Sequence, residues 1–158
     1  MFKKGDTIMY PVYGPGVITE ITQESFGEED KQYFHIDFEH RNLSISIPVE
    51  TADNFGMRVP LSKKEIRDAL SELERSVRIT DKLIETLDEE LDQRIKSGDI
   101  EDAIWVVSTL RAYERKRQKD DKRLGTIHQD YLEKAMNYLH SEILLVLGEK
   151  FARPFAIE

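Results

Sequence analysis

The sequence predicts an α+β protein of two domains, a small Tudor-like or SH3-like β barrel followed by a compact bundle of four to five α-helices. Two observations carry this prediction. Short strand-like runs separated by turn residues fill the first part of the chain, and helical periodicity with capping signals fills the rest. The change falls at Val59-Pro60-Leu61, which places the predicted domains at residues 1–60 and 61–158.

The predicted strands are short runs with apolar alternation or β-branched residues. They recur about every ten residues, a spacing typical of small barrels and sandwiches. Glycine, proline and acidic residues between them mark turns. The runs are Thr7–Tyr10, Gly16–Thr22, Gln32–Phe38 and Leu43–Ile47, and the turns are Tyr13–Gly16, Phe26–Asp30 and Glu39–Asn42.

The predicted helices begin at capping residues and end at glycines. Apolar side chains repeat every three or four residues in each one, and the first stripe continues to Val77. The second helix covers residues 80–96, and the last one continues to about residue 150. The landmarks are the capping boxes Ser62-x-x-Glu65 and Thr126-x-x-Gln129, the breakers Gly98 and Gly125, and the N-cap Asp99.

The composition narrows the classes of protein. There is no cysteine, which excludes disulfides and thiolate ligands, and the four histidines lack a metal-ligand spacing, so we expect neither metal nor cofactor. No apolar run reaches the roughly 20 residues that cross a bilayer. The N-terminal residues lack the apolar core that is typical of a signal peptide. A cytoplasmic protein without membrane contact is expected. The net charge of -8 argues against a general nucleic-acid coat.

Positive charge is concentrated in one segment, Arg111–Arg123, which holds seven basic residues and three acidic ones. Such a cluster at the end of a helix can contact phosphates. It can also be a solvated helix end, where cations suit the negative end of the macrodipole. The second helix has a concentration of negative charge instead, because Glu85–Asp92 contains five acidic residues and no basic one. That run favours solvent or a basic partner over DNA.

Trp105 lies nearly opposite the apolar stripe of the third helix, 100° per residue being taken for the helical wheel. A tryptophan in that position either packs under a neighbouring element or is presented to a partner. Packing is the commoner outcome. The second alternative is of interest because large apolar side chains can wedge between base steps in the minor groove.

Catalytic signatures do not occur. Gly14-Pro15-Gly16 lacks the third glycine and the following helix of a dinucleotide-binding motif, and a strand-like run follows instead. The sequence has neither a P-loop lysine motif nor a nucleophile elbow. We therefore expect a protein that is not an enzyme and has no catalytic residues.

Several motifs resemble the CarD/CdnL family of bacterial transcription regulators and the related module of transcription-repair coupling factors. They cover nearly the whole chain. They are Phe2-Lys-x-Gly-Asp-Thr-x-x-Tyr-Pro-x-x-Gly-x-Gly-Val-Ile18, a strand containing Tyr33, Leu43-x-Ile-x-Ile-Pro48, Asn54-x-Gly-Met-Arg58, Ser97-Gly-Asp99 and Val106-Val107-x-x-Leu110.

The resemblance implies that the barrel is an RNA-polymerase-interacting domain. Such a domain binds the polymerase β subunit by adding its sheet edge to a strand of the partner, and the segment around Leu43–Ile47 suits this mode. The alternative is an interior barrel strand with no free edge. The polymerase-binding residues expected on this basis are Arg41, Leu43, Ser44, Ile45, Ser46 and Ile47.

The resemblance also implies that the helical domain contacts promoter DNA at the edge of the melted bubble and modulates the stability of the open complex. The sequence departs from the family here: the family's tryptophan position falls near Ile84, and the basic residues after it become Glu85–Asp92. On the barrel, two positions at which the family often uses basic residues against polymerase are Glu24 and Ser46 in this chain. The DNA-binding residues expected instead are Trp105, Arg111, Arg115, Lys116, Arg117, Lys119, Lys122 and Arg123.

Two hypotheses follow. The first is a regulator that docks on the polymerase β subunit and contacts promoter DNA through the basic segment and Trp105. The second is a polymerase-binding adaptor whose acidic helical domain binds a protein partner rather than DNA. In both, the protein is expected to be a monomer.

Overall fold

The structure, a computed structural model, describes residues 2–157 except for the side chains of residues 26 and 74. Its N-terminal half is a four-stranded antiparallel sheet in the order β1-β2-β3-β4. The sheet and the helices that follow confirm the predicted two-domain α+β class. The strands are β1 (Thr7–Tyr10), β2 (Gly14–Phe26), β3 (Glu29–Phe38) and β4 (Leu43–Pro48).

The chain reverses between β1 and β2 at residues 11–13, and not at Tyr13–Gly16 as predicted. Val12 and Gly14 have positive φ angles, of 71° and 83°. Gly16 lies inside β2, where a Cβ atom would come within 2.8 Å of side-chain atoms of Ile36 and Phe38. Its glycine is thus required by the packing of the sheet and not by a turn.

The two edges of the sheet differ. On β1, Met9 and Arg58 form an isolated antiparallel bridge with backbone hydrogen bonds of 2.7 and 3.0 Å, so the chain returns to cover this edge. On the other side, β4 pairs with β3 from Phe38↔Leu43 to Tyr33↔Pro48. No other described strand pairs with β4.

The sheet encloses a core of its own on one face. Alternation places the inward residues of β3 at Phe34, Ile36 and Phe38, all at most 2% exposed. The buried members of this core are Ile8, Ile18, Phe34, Ile36, Phe38, Ile47, Ala52 and Met57.

The described part of the helical half contains five α-helices. They are α1 (Lys63–Leu70), α2 (Asp81–Ser97), α3 (Ile100–Gln118), α4 (Thr126–Leu147) and α5 (Glu149–Ala152). Ser62 and Glu65 form the predicted capping box of α1, Asp99 caps α3, and Gly98 ends α2 in the left-handed conformation. The helical core is built around α3, where Val106, Val107 and Leu110 are fully buried.

Four predicted helix limits differ from the structure. The third helix ends at Gln118, and not at the predicted breaker Gly125. The first helix ends at Leu70 and continues only as a 3-10 turn to residue 74, so Val77 lies in the connection to α2. The capping box at Thr126 is wrong, because Gly125 is the N-cap and no side chain caps α4. Gly148, with φ at 94°, separates α4 from the short α5. At Leu70 and at Gly148, local backbone geometry ends a helix that the apolar period alone would continue.

The two halves meet at a buried ion pair. Arg58 donates to both carboxylate oxygens of Glu142, at 2.7 and 2.6 Å, and the Glu142 side chain is fully buried. The Leu61 amide donates to the same carboxylate at 2.9 Å. Arg58 Nε and the Tyr138 hydroxyl both donate to the carbonyl oxygen of Gly98, at 2.8 and 2.7 Å. The end of the sheet region is therefore bonded to α4 and to the α2–α3 turn.

Close backbone packing surrounds this ion pair. A Cβ atom at Gly56 would lie 2.6 Å from the carbonyl oxygen of Ser97, and one at Gly98 would lie 2.7 Å from Cγ of Pro11. Both glycines also have positive φ angles, of 86° and 76°. The β1–β2 turn, residues 56–58 and the α2–α3 turn thus form one junction, called the interdomain junction below.

Within the described residues, no helix is long and apolar enough to cross a membrane. Those residues also hold no group of three or more metal-ligating side chains.

Candidate functional site

The first candidate site is the free edge of β4. Leu43, Ile45 and Ile47 point toward the sheet core, whereas Ser44 and Ser46 are exposed on the opposite face. An edge strand presents backbone N–H and C=O groups that a further strand can pair with. The edge is six residues long and carries two short polar side chains on its outer face, so its geometry permits strand addition with little steric obstruction.

Arg41 lies just before β4 and is already bonded within the chain. Its guanidinium donates to the carbonyl oxygens of Tyr13 and Val12, at 3.1 and 3.0 Å, and lies over the Tyr13 ring at 5.6 Å. No local pattern predicts this contact, which joins residues 28 positions apart. Arg41 therefore fixes the β1–β2 turn beside the start of β4.

Ser46 is likewise tied to its neighbours on the outer face of the sheet. Its hydroxyl is 2.9 Å from Nδ1 of His35, and the other ring nitrogen of His35 is 2.6 Å from the Thr22 hydroxyl. Glu24 lies 4.0 Å from the same histidine. This ladder across β2, β3 and β4 holds the polar face next to the free edge in one arrangement.

The second candidate site is the C-terminal half of α3, and the structure separates the predicted basic residues there into two groups. Arg115, Lys116 and Lys119 are exposed, and no ion pair among the described side chains involves them. They lie within about 100° of one another, and each lies within about 80° of Trp105, on a helical wheel of 100° per residue. We call these three residues the α3 basic face.

The other predicted basic residues are placed differently. Arg111 turns toward α4, where it donates to the sulfur of Met136 at 3.5 Å. Arg117 donates to the carbonyl oxygen of Arg123 at 2.7 Å and stacks on Tyr113, which secures the turn after α3. Lys122 and Arg123 are exposed in that turn. The structure thus does not bring the whole predicted set onto one surface.

Trp105 is partly buried and packs against the helical core. The guanidinium carbon of Arg94 lies 4.1 Å from its ring centroid, and Arg94 is held by Glu90 and Asp102, each at 2.9 Å. The ring therefore lies between the core and an arginine that two carboxylates fix in place. Of the two alternatives drawn from the sequence, packing describes Trp105 in this structure.

Arg78 is not among the site residues predicted from the sequence. It lies in the connection between α1 and α2 and lines the same groove as Trp105 and Ser108. Val77 borders both this groove and the adjoining one, which Arg115, Lys116 and Lys119 line. The connection thus adds an exposed arginine beside the α3 basic face, a neighbour that only the packing of residues 75–79 against α3 reveals.

The acidic run of α2 is largely engaged inside the helical half. Asp88 lies 2.7 Å from His128 of α4, and Asp92 pairs with Lys96 at 2.8 Å and accepts from Tyr131 at 3.3 Å. The hydrogen bond from Lys96 lowers the pKa of Asp92. Ile84, at the family's tryptophan position, is 36% exposed. Two of its five acids, Asp88 and Asp92, therefore join α2 to α4.

The structure thus joins a four-stranded sheet with a free edge to a helical domain with a basic helix end. Comparison with known families identifies both parts. Residues 2–60 match the family model described as the CarD-like/TRCF RID domain, and residues 84–153 match that of the CarD C-terminal domain.

The chain belongs to the CarD-like family of transcription factors, and its domains are those of a transcription-related, RNA-polymerase-interacting protein. It is also similar to YdeB of Bacillus subtilis (strain 168), a protein named as a candidate transcription factor. The two are 28% identical over 151 residues, which cover 94% of each chain.

Proposed function

We propose that this protein docks on the β subunit of RNA polymerase through the free edge of β4 and modulates the stability of the open promoter complex. The observation that carries the docking is that β4 pairs with β3 alone among the described strands. A strand of the partner would extend the sheet by one strand. The domain limits at 1–60 and 61–158 then assign docking to the first domain and DNA contact to the second.

Most of the docking affinity would come from main-chain hydrogen bonds. Leu43, Ile45 and Ile47 face inward and support the strand, and the outward hydroxyls of Ser44 and Ser46 offer small polar contacts. In strand addition the backbone supplies affinity and alternate side chains supply specificity. The acidic or neutral residues at family basic positions, Glu24 and Ser46, are compatible with such backbone-driven docking.

Proline scanning of β4 tests the docking. Successive N–H groups of an edge strand point alternately to its neighbour and to solvent. Of Ser44→Pro and Ile45→Pro, one therefore removes a hydrogen bond to β3 and the other removes an outward donor. We expect the outward variant to keep its far-ultraviolet circular dichroism and to lose binding to purified core polymerase. A folded variant of this kind that binds as tightly as the native chain would disprove edge pairing.

For the DNA contact, the α3 basic face with Arg78 alongside is the surface we propose. Exposed cations without carboxylate partners are free to replace the counterions of DNA phosphates. Trp105, covered by Arg94, would lie beside these residues and support them. Arg111 and Arg117, which bond within the helical half, would contribute less. Contact would thus be made mainly with the phosphate backbone and would not select sequence directly.

A second function, the adaptor with an acidic helical domain, is supported by the exposed residues Ile84, Glu85 and Glu89 on α2. Their combination of apolar and acidic side chains suits a basic protein surface better than DNA. The two functions differ in a simple measurement. Polymerase binding together with no DNA affinity in 50 mM salt would favour the adaptor.

A further inference from the structure

A groove of about 500 Å³ lies between the sheet and α4, at the end of the sheet where β4 begins. Its floor and walls combine two hairpin ends with one face of α4. The lining residues are Tyr13, Pro15, Phe38, His40, Arg41, Asn137, His140, Ser141, Leu144 and Leu145.

The groove exposes apolar surface that the fold leaves uncovered. Leu144 is 39% exposed, Leu145 is 47% exposed and Tyr13 is 37% exposed. These side chains lie on neighbouring elements and border one concave surface, unlike isolated exposed leucines. An apolar side chain from a partner could be buried here.

The polar part of the lining has one sign of charge. Arg41 and two histidines contribute donors, and no aspartate or glutamate is among the lining residues. This is unusual in a chain whose net charge is -8. The hydrogen bonds of Arg41 to the β1–β2 turn hold its guanidinium in place before any partner arrives. The rim therefore suits a carboxylate.

The groove is also continuous with the free edge. Arg41 lines it, and β4 starts only two residues later at Leu43. A strand paired with β4 that extends beyond Leu43 would leave the sheet at the mouth of the groove.

We propose that the groove receives the continuation of the polymerase segment that pairs with β4, and that this continuation carries a carboxylate next to apolar side chains. The inference rests on the proposed docking and adds the chemistry of the partner. The carboxylate would meet the Arg41 side of the groove, and the apolar side chains would cover Leu144 and Leu145.

Binding of the full-length chain to core RNA polymerase, measured by biolayer interferometry, tests the inference. Leu145→Asp places a carboxylate against a segment that is proposed to be apolar and to carry a carboxylate itself. We therefore expect the affinity of this variant for polymerase to fall by about tenfold or more. Leu145→Ala should lose affinity in the same direction but by less. Ile127→Asp, on the same helix and 65% exposed, is the matched control and should bind as the native chain does.

Two substitutions of opposite charge at Asn137 test whether the segment in the groove is negatively charged. Asn137 is exposed and lines the groove, so both substitutions should fold. We expect Asn137→Glu to weaken binding severalfold and Asn137→Lys to leave it unchanged or tighter, with the difference shrinking at high salt. Equal effects of the two variants, or equal effects of Leu145→Asp and Ile127→Asp, would overturn the inference.

The proline variants of β4, measured in parallel, separate the two proposals. If the outward proline variant loses binding while all groove variants retain it, edge docking stands and the groove inference fails. If the native chain does not bind core polymerase, or the folded proline variant binds normally, the docking proposal fails and the groove inference fails with it.

Discussion

The interdomain junction contains one arginine and the C-terminal end of α3 contains several basic side chains, and the two places use these cations in opposite ways. At the junction, Arg58 bonds to Glu142, Tyr138 and the Gly98 carbonyl oxygen within a largely buried site. On the α3 basic face, the three cations are exposed and take part in none of the ion pairs among the described side chains. The comparison shows that bonding partners, and not the number of charges, distinguish cations that hold the fold from those available to a ligand.

The pKa of Arg58 supports the structural role of the junction. Burial acts to lower it, but the hydrogen bond to Glu142 and the charges of Tyr138 and Glu142 together outweigh that effect and raise the pKa above its ordinary value. Arg58 therefore stays charged, and removal of its partner would leave an uncompensated charge in a largely buried place.

Glu142→Ala should have the largest effect of the changes considered. We expect it to lower the free energy of unfolding by about 3–5 kcal/mol, because it removes one member of a buried ion pair and the acceptor of the Leu61 amide. Chemical denaturation followed by circular dichroism measures this loss. Lys119→Ala, which removes an exposed cation without a partner, should change stability by less than about 0.5 kcal/mol. Similar losses for the two variants would show that the bonded and the exposed cations contribute alike to stability.

Removal of the α3 basic face should affect DNA binding and not stability. The triple variant Arg115→Ala/Lys116→Ala/Lys119→Ala should retain the stability of the native chain and lose DNA affinity by about 10- to 100-fold in low salt. Its plot of log affinity against log salt should be shallower by about 2–3, since each phosphate contact contributes a slope near 0.9. Gel shift of a melted-bubble promoter fragment across a salt series measures both quantities.

The control for this variant has the same change in charge at another place. Lys3→Ala/Lys4→Ala/Lys31→Ala removes three exposed lysines of the sheet half. It should leave DNA affinity nearly unchanged. A loss equal to that of the α3 variant would mean that only the total charge matters, and no loss in either variant would mean that neither group of cations makes the DNA contact.

The sequence predicted most of the local structure, because strand alternation and helix caps depend on residues close together in the chain. The capping box of Ser62 and Glu65 is an example. The Arg58–Glu142 pair joins residues 84 positions apart, and neither residue has a local pattern that points to the other. Pro11 lies against Gly98, a long-range contact that no local pattern predicts.

The candidate sites were predictable to a similar extent. The family motifs and the alternation of Leu43–Ile47 indicated β4, and the structure adds that its outer edge is open. The predicted basic segment contains the α3 basic face, but composition could not separate Lys116 from Arg117. Arg117 bonds to the turn at Arg123, whereas Lys116 is exposed and donates to the carbonyl oxygen of Ile79 at 3.4 Å. The predicted site residues, including Trp105, stay predictions until binding is measured.

The smallest effect we expect is at the junction and depends on pH. The pKa of Tyr138 is raised, first by burial and then by the charge of Glu142, against an opposing effect of Arg58. Tyr138→Phe removes the hydrogen bond to the Gly98 carbonyl oxygen and should cost about 1 kcal/mol at pH 8.

The sign of the pH dependence follows from the raised pKa. The folded chain keeps the phenolic proton where the unfolded chain, with an ordinary pKa of about 10, releases it. The stabilisation is therefore complete below pH 10 and is lost as the pH rises toward the folded-state pKa, by at most about 1.4 kcal/mol per pH unit. Tyr138→Phe cannot release this proton, so the stability gap to the native chain should narrow between pH 9 and 11 in urea titrations. All other titrating groups are common to both chains and cancel in the difference. A gap that stays constant over this range would show that the Tyr138 hydroxyl titrates alike in the folded and unfolded states, and that the junction is open to water.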